Sequence, residues 1–208
     1  MKTMLILAGP QGSGNHLFSK IFALHPEVFG WKNLLTSRWE AHRGDEPFRD
    51  LWQNHDMIET FDWNIADYFV TSVSLPFGAV HRNNLFMSDV NKFSAEVEKI
   101  GINTKLAIIG RDQNIITLQQ QRVRHEITLP MFINELDKFK LPTFLSQELL
   151  YLYKRHYLRS LDLGIPIAVD DDRINDILAT DANAKYIVQP ELQELDVYIQ
   201  QMSRITIG

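Results

Sequence analysis

Three glycines, Gly9, Gly12 and Gly14, fall within six residues near the amino terminus, and Asn15 and His16 follow them into a run of apolar residues at helical spacing. Glycine can take positive φ and lets backbone N–H groups approach an oxyanion closely, while a helix beginning near Asn15 turns the positive end of its dipole to the same point. The chemistry expected of this loop is the binding of phosphate or sulfate. Gly9 and Gly14 have the separation of the outer glycines of a Walker loop, but Asn15 and His16 stand where that motif needs lysine and a hydroxyl residue. Ordinary ATP or GTP hydrolysis is therefore not expected, because the lysine neutralises the phosphates and the hydroxyl holds magnesium. The competing reading is a glycine-rich turn with no ligand. A second charged candidate is Arg111, which follows an apolar run and Gly110 and precedes Asp112-Gln113. A guanidinium at the carboxyl end of a parallel strand suits a bidentate phosphate contact, although an ion pair with a nearby carboxylate would account for it equally. Asp170-Asp171-Asp172 closes another apolar run, which is either a metal-binding strand end or a helix cap.

The elements that must carry these residues follow from periodicity. Met4 to Ala8 is an apolar run that reads as a first strand, and Leu17, Phe18, Ile21, Phe22 and Leu24 give a helix face stopped at His25-Pro26. Residues 27–31 form a short strand. Residues 32–67 hold Trp39, Trp52, Trp63, His42 and His55 and predict helices and loops over the site, where an acceptor substrate could lie or where the tryptophans merely pack. Residues 68–75 alternate as a strand that ends at Pro76. Val90, Phe93, Val97 and Ile100 predict a crossover helix between Ser88, as its cap, and Gly101. Residues 105–109 are a buried strand, and 119–125 are polar enough for either a phosphate pocket or a solvated helix face. Residues 130–139 predict a short helix, and 143–162 one long helix with Leu145, Leu149, Tyr153, Tyr157 and Leu161 as its core stripe. Residues 165–169 and 186–188 read as strands, and 190–202 as an amphipathic closing helix. Strands alternating with helices over 1–208 predict a single α/β domain, three layers with a mostly parallel central sheet and a P-loop-like turn after the first strand.

Pro10-Gln11-Gly12-Ser13-Gly14-Asn15-His16 resembles the 5′-phosphosulfate loop of the sulfotransferase superfamily, His25-Pro26-Glu27-Val28 is similar to its His-Pro segment, and Arg111-Asp112 to the residues after a later strand. The resemblance implies a P-loop-like α/β fold and transfer of a sulfuryl group from 3′-phosphoadenosine 5′-phosphosulfate (PAPS) to a hydroxyl or amine of a small molecule or glycan, with no metal. It implies that Gln11, Gly12, Ser13, Gly14, Asn15 and His16 hold the 5′-phosphosulfate, and that Arg111, with a hydroxyl residue on the following helix, holds the 3′-phosphate. Gln119 occupies the usual hydroxyl position and Thr117, two residues earlier, is the nearest hydroxyl. Gln11 stands where the family has its catalytic lysine and Ser74 where it has the histidine that takes the acceptor proton. His16 and the loop amides would then meet the charge on the leaving oxygen. His81 is the candidate to accept the proton, its alternative being a solvated loop histidine. The rival functions are a magnesium-dependent small-molecule kinase that uses Asp170 and ATP, and a nucleotide-binding module without catalysis.

Composition narrows the field. A chain of 208 residues, 45% hydrophobic and 23% charged, suits one domain with a sizeable core. A net charge of -5 argues against nucleic acid as partner, since phosphate-backbone binding needs a basic surface. The absence of cysteine removes disulfides, thiolate nucleophiles and cysteine-bound zinc, and with no apolar stretch of membrane-spanning length it points to a cytoplasmic protein without a membrane partner. The sequence leaves the oligomeric state open.

Overall fold

A computed structural model describes residues 1–36, 46–77 and 85–186. Within them five strands form an all-parallel sheet in the order β2-β3-β1-β4-β5: β1 (Thr3–Gly9), β2 (Val28–Phe29), β3 (Tyr68–Ser74), β4 (Asn103–Gly110) and β5 (Thr143–Ser146). The fold is the expected three-layer α/β arrangement. Every residue of β1 is buried, as a central strand covered on both faces must be, and its side chains alternate between two cores. Leu5 and Leu7 face Phe18, Ile21 and Phe22 of α1 (Asn15–Phe22), while Met4, Ile6 and Ala8 lie in the core that contains Phe93 and Val97 of α3 (Val90–Lys99). Asp89, next to the expected Ser88, caps α3 by accepting from the Lys92 N–H, and Gly101 ends it at φ 84°.

The roof predicted between the second and third strands contains α2 (Arg49–Gln53) and three 3₁₀ turns among its described residues. Trp52 stacks on Phe93 with ring centroids 3.8 Å apart, and Trp63 stacks on Phe48 at 6.0 Å, so both are packing residues. Trp39 and His42 lie outside the described residues. After β4 come α4 (Gln113–Arg124) and α5 (Leu129–Ile133), the latter with Pro130 in its first turn.

Two expectations are corrected. The stretch 143–162 is not one helix: it opens as β5, turns at Ser146, whose Oγ accepts from the Leu149 N–H, and continues as α6 (Gln147–Tyr153) and α7 (Arg155–Arg159). Lys154, at φ 45° and ψ −119°, breaks the two apart. The four-residue spacing of Leu145, Leu149 and Tyr153 thus spans a strand and a helix; Leu145 is buried from the sheet while Leu149 and Tyr153 are exposed. Residues 165–169 do not join the sheet either. Val169 N–H donates to the Ile167 carbonyl oxygen at 2.8 Å, a local turn that spends the backbone groups a strand would offer a neighbour. They lead through Asp170–Asp172 into α8 (Arg173–Ile177), which packs with α1 on the first core. Tyr186 belongs to a 3₁₀ turn (Ala184–Tyr186), and the rest of the strand expected at 186–188 and the helix expected at 190–202 lie outside the described residues.

Candidate functional site

The chain leaves β1 toward β2 through α1, but leaves β4 toward β5, so the carboxyl ends of β1 and β4 flank the point where the winding reverses. Open α/β sheets bind ligands in that crevice. The glycine loop and Arg111 meet there: Arg111 Nη1 donates to the Gly12 carbonyl oxygen at 2.6 Å.

The loop is built by its glycines in two different ways. Gly12 and Gly14 have φ of 89° and 110°, a backbone region that strongly favours glycine. Gly9 remains in the strand and is required for space, since a Cβ there would lie 2.9 Å from the Ile109 carbonyl oxygen. A Cβ on Gly12 would stand 3.1 Å from the Gln119 side chain, and one on Gly14 would stand 2.6 Å from Gln147 Oε1. The loop backbone is thus approached by three glutamine side chains, Gln119 and Gln120 from α4 and Gln147 from α6.

Most of the polar side chains proposed to hold a cofactor brace the loop. Gln11 is only 1% exposed; its Nε2 donates to the Pro76 carbonyl oxygen at 2.8 Å, and its own carbonyl oxygen accepts from Gln120 Nε2 at 2.8 Å. Ser13 Oγ donates to Asn15 Oδ1 at 3.1 Å, and Asn15 Nδ2 donates to the Val73 carbonyl oxygen at 3.0 Å and to Ser74 Oγ at 3.1 Å. Ser74 is therefore an anchor for Asn15. His16 lies edge-on to Trp31, ring centroids 4.9 Å apart, at the start of α1, where the first N–H groups of a helix lack intrahelical acceptors. Thr117 Oγ1 donates back one turn to the Gln113 carbonyl oxygen, whereas Gln119, eight residues after Arg111, lies at the loop and accepts from Arg111 Nη1. His81 lies outside the described residues.

Arg111 is 8% exposed. Besides Gly12 it reaches Gln119 Oε1 through Nη1, Asn183 Oδ1 through Nε at 2.8 Å, and the Ala182 carbonyl oxygen through Nη2 at 3.4 Å, with Tyr186 under its guanidinium at 5.7 Å. Burial draws its pKa below the ordinary arginine value, opposed by Tyr186, Glu148, Tyr151 and Asp181. Its partners are neutral acceptors and an aromatic ring, so the ion pair with Asp112 is not made; Asp112 instead caps α4 by accepting from the N–H groups of Asn114 and Ile115.

Sequence reasoning missed Glu46. It is 7% exposed on the opposite side of β3, where Oε1 accepts from Thr71 Oγ1 and Oε2 from the Phe48 N–H, both at 3.0 Å. Trp52 Nε1 in turn donates to Thr71 Oγ1 at 2.8 Å. Burial pushes the Glu46 carboxyl up to about 8, against the lowering effect of its hydrogen bonds from Thr71, Phe48 and Ser72. The carboxyl borders a cleft with Arg49, Ser72, Phe77, Phe86 and Ser88. Nothing in the pattern sets Glu46 apart from Asp45 or Asp50 in the sequence; only the fold puts it under the sheet. Asp170, which the rival kinase reading would place on a metal, is exposed and paired with Arg159 at 2.5 Å. Among the described residues no group of three histidines or carboxylates could hold a metal ion, and no helix is long and apolar enough to cross a membrane.

Compared with models of known families and with curated proteins, the chain matches none.

Proposed function

We propose that this chain is a sulfotransferase-like transferase that takes PAPS as donor and a hydroxyl or amine of a small molecule or glycan as acceptor. One observation carries the reading: the glycine loop and the buried Arg111 converge at the carboxyl ends of β1 and β4, with guanidinium and loop in direct contact. The residues there fit one phosphate or sulfate group, since a guanidinium, the Gln147 amide and the amino end of α1 offer cationic and neutral donors to a single region. Arg111 and Gln147 would hold such a group, with the loop amides and His16 beside it. PAPS, when bound, supplies an activated sulfuryl group.

The acceptor side of the reading is the Glu46 cleft. Gln11 ties the loop to Pro76, and Phe77, the next residue, lines the cleft, so the two regions share the end of β3. With a pKa near 8 the carboxyl is protonated at neutral pH, and once ionised, toward and above pH 8, it is a stronger base than an ordinary carboxylate, the property required of the group that removes the acceptor proton. Glu46 thereby fills the role left open by Ser74, which is engaged with Asn15. The kinase alternative loses support because Asp170 is turned to Arg159. A nucleotide-binding module without catalysis keeps one specific support: Gln11 turns into the interior and brings no charge to the loop.

The test is a thermal-shift comparison of adenosine 3′,5′-bisphosphate, AMP and ATP with magnesium, followed by an assay for bisphosphate release from PAPS. Stabilisation by the bisphosphate without metal is expected, near 2.7 kcal/mol at about 100 times its dissociation constant. A larger shift with magnesium ATP would overturn the reading, and tight bisphosphate binding without turnover on any acceptor would favour the module.

A further inference from the structure

Arg111 and Gln147 aim at one atom. Asn183 Oδ1 accepts from Arg111 Nε at 2.8 Å and from Gln147 Nε2 at 3.3 Å, a cationic and a neutral donor meeting on a single oxygen, the second from the side chain that lies against Gly14. Two convergent donors, one of them a guanidinium, are what an oxyanion receives in a binding pocket. Asn183 is itself presented on a tight local turn: its N–H donates to Asp181 Oδ1 at 2.7 Å, and its carbonyl oxygen accepts from the Tyr186 N–H at 2.8 Å. Its Nδ2 donates to Glu148 Oε1 at 3.4 Å, so the amide also separates Arg111 from a carboxylate.

A second observation marks the same place as a ligand site. Gln147 is 1% exposed, and its Oε1 has no hydrogen-bond partner among the described residues although it is aimed at Gly14, the residue that opens α1. A buried amide with one end unpaired beside a helix amino terminus is an unfinished polar site. Rotating that amide about its last bond would turn its NH₂ to the loop.

We propose that Asn183 is a built-in stand-in for the ligand: its side-chain oxygen takes the position of a phosphate or sulfate oxygen, and a phosphate- or sulfate-bearing ligand binds by displacing the 181–186 turn from Arg111. The inference rests on the reading of this crevice as the anion site. It assigns the turn a regulatory part, because a ligand that must displace an internal competitor binds more weakly by the fraction of molecules in which the competitor has left. The displaced turn carries with it Tyr186, which lies under both Arg111 and Arg122 at 5.7 and 5.0 Å, so both guanidinium groups change neighbours in the same step.

Two substitutions act in opposite directions. Asn183→Ala removes the competing oxygen and is expected to tighten binding of adenosine 3′,5′-bisphosphate, and of inorganic sulfate, by up to about tenfold if the turn is seated in about nine molecules of ten. Asn183→Asp, made together with Glu148→Gln so that the new carboxylate does not face a second one, replaces it with a charged acceptor of the same shape and is expected to weaken both by threefold or more relative to Glu148→Gln alone. Calorimetric titration of the wild type and these variants reads these changes, with circular dichroism confirming that each is folded. Hydrogen exchange of residues 181–186 in the wild type is an independent measure, expected to speed up at saturating bisphosphate. Binding by the wild type with Asn183→Ala unchanged or weaker, or with exchange at 181–186 slowed or unchanged, overturns the displacement alone. Binding of neither probe by the wild type overturns the anion site and the displacement with it.

Discussion

Replacing Glu46 by glutamine should change how the stability of the whole domain depends on pH. In the folded protein the carboxyl titrates near 8 rather than at its ordinary 4.5, chiefly because it is buried. Between those values the folded chain keeps a proton that the unfolded chain releases, so stability is fully present below about pH 4.5 and is lost as pH rises toward 8. The slope is about −1.4 kcal/mol per pH unit, and over the interval it amounts to roughly 5 kcal/mol at most. That is a large share of the 5 to 15 kcal/mol typical of a domain. Glutamine has the same shape, keeps an oxygen for the Thr71 hydroxyl or the Phe48 N–H, and stands in for the neutral acid without titrating. Urea unfolding of wild type and Glu46→Gln at intervals from pH 5 to 9 provides the assay. The two curves should nearly coincide at pH 5 and separate by several kcal/mol by pH 8, with the variant the more stable. Parallel curves would refute the claim that Glu46 is buried as a neutral acid, and with it the proton-accepting role proposed for the cleft.

Arg111→Ala should weaken adenosine 3′,5′-bisphosphate by about 1.5 to 3 kcal/mol in a calorimetric titration, the usual worth of a hydrogen bond to a charged group. Gly14→Ala should destabilise the fold by about 1 to 3 kcal/mol in thermal or urea melts, because φ 110° is strained for alanine and the new methyl meets Gln147. Adding Gln147→Ala should recover only the steric part. Gln11→Lys should destabilise by about 2 to 4 kcal/mol in the same melts, since the side chain is buried against Pro76 and would carry an uncompensated charge inward.

The last of these substitutions shows where sequence reasoning stops. The first strand, the glycine turn and α1 were legible because a fully apolar run, residues free to take positive φ and a helical apolar face are each local properties of a few consecutive residues. The parallel sheet followed from the alternation of such units, and the junction at Arg111 from an apolar run ending in a charge. The direction of a polar side chain is not local. Gln11 reaches a carbonyl oxygen 65 positions away, and Asn15 binds Val73 and Ser74. Neither partner is marked in the loop itself. The long helix expected at 143–162 failed for the same reason: a four-residue apolar spacing fits a strand that turns into a helix as well as it fits one helix, and only pairing of β5 with β4 decides between them.

What the loop gives up by this arrangement bears on its chemistry. Three of its polar side chains, those of Gln11, Ser13 and Asn15, are spent on holding a glycine turn rigidly against the end of β3. The groups that face the crevice come from elsewhere: Arg111, Gln119, Gln147 and Asn183 arise from four separate places in the chain. In the proposed site the loop backbone is held by these bonds, and the recognition groups would exchange partners when a ligand binds. Binding can then be set by the neutral amides that compete for Arg111, without the fixed lysine that the loop lacks. If that is correct, affinity for an anionic ligand should respond more strongly to the identity of residue 183 than to that of Ser13 or Asn15, whose replacement should appear first as a loss of stability.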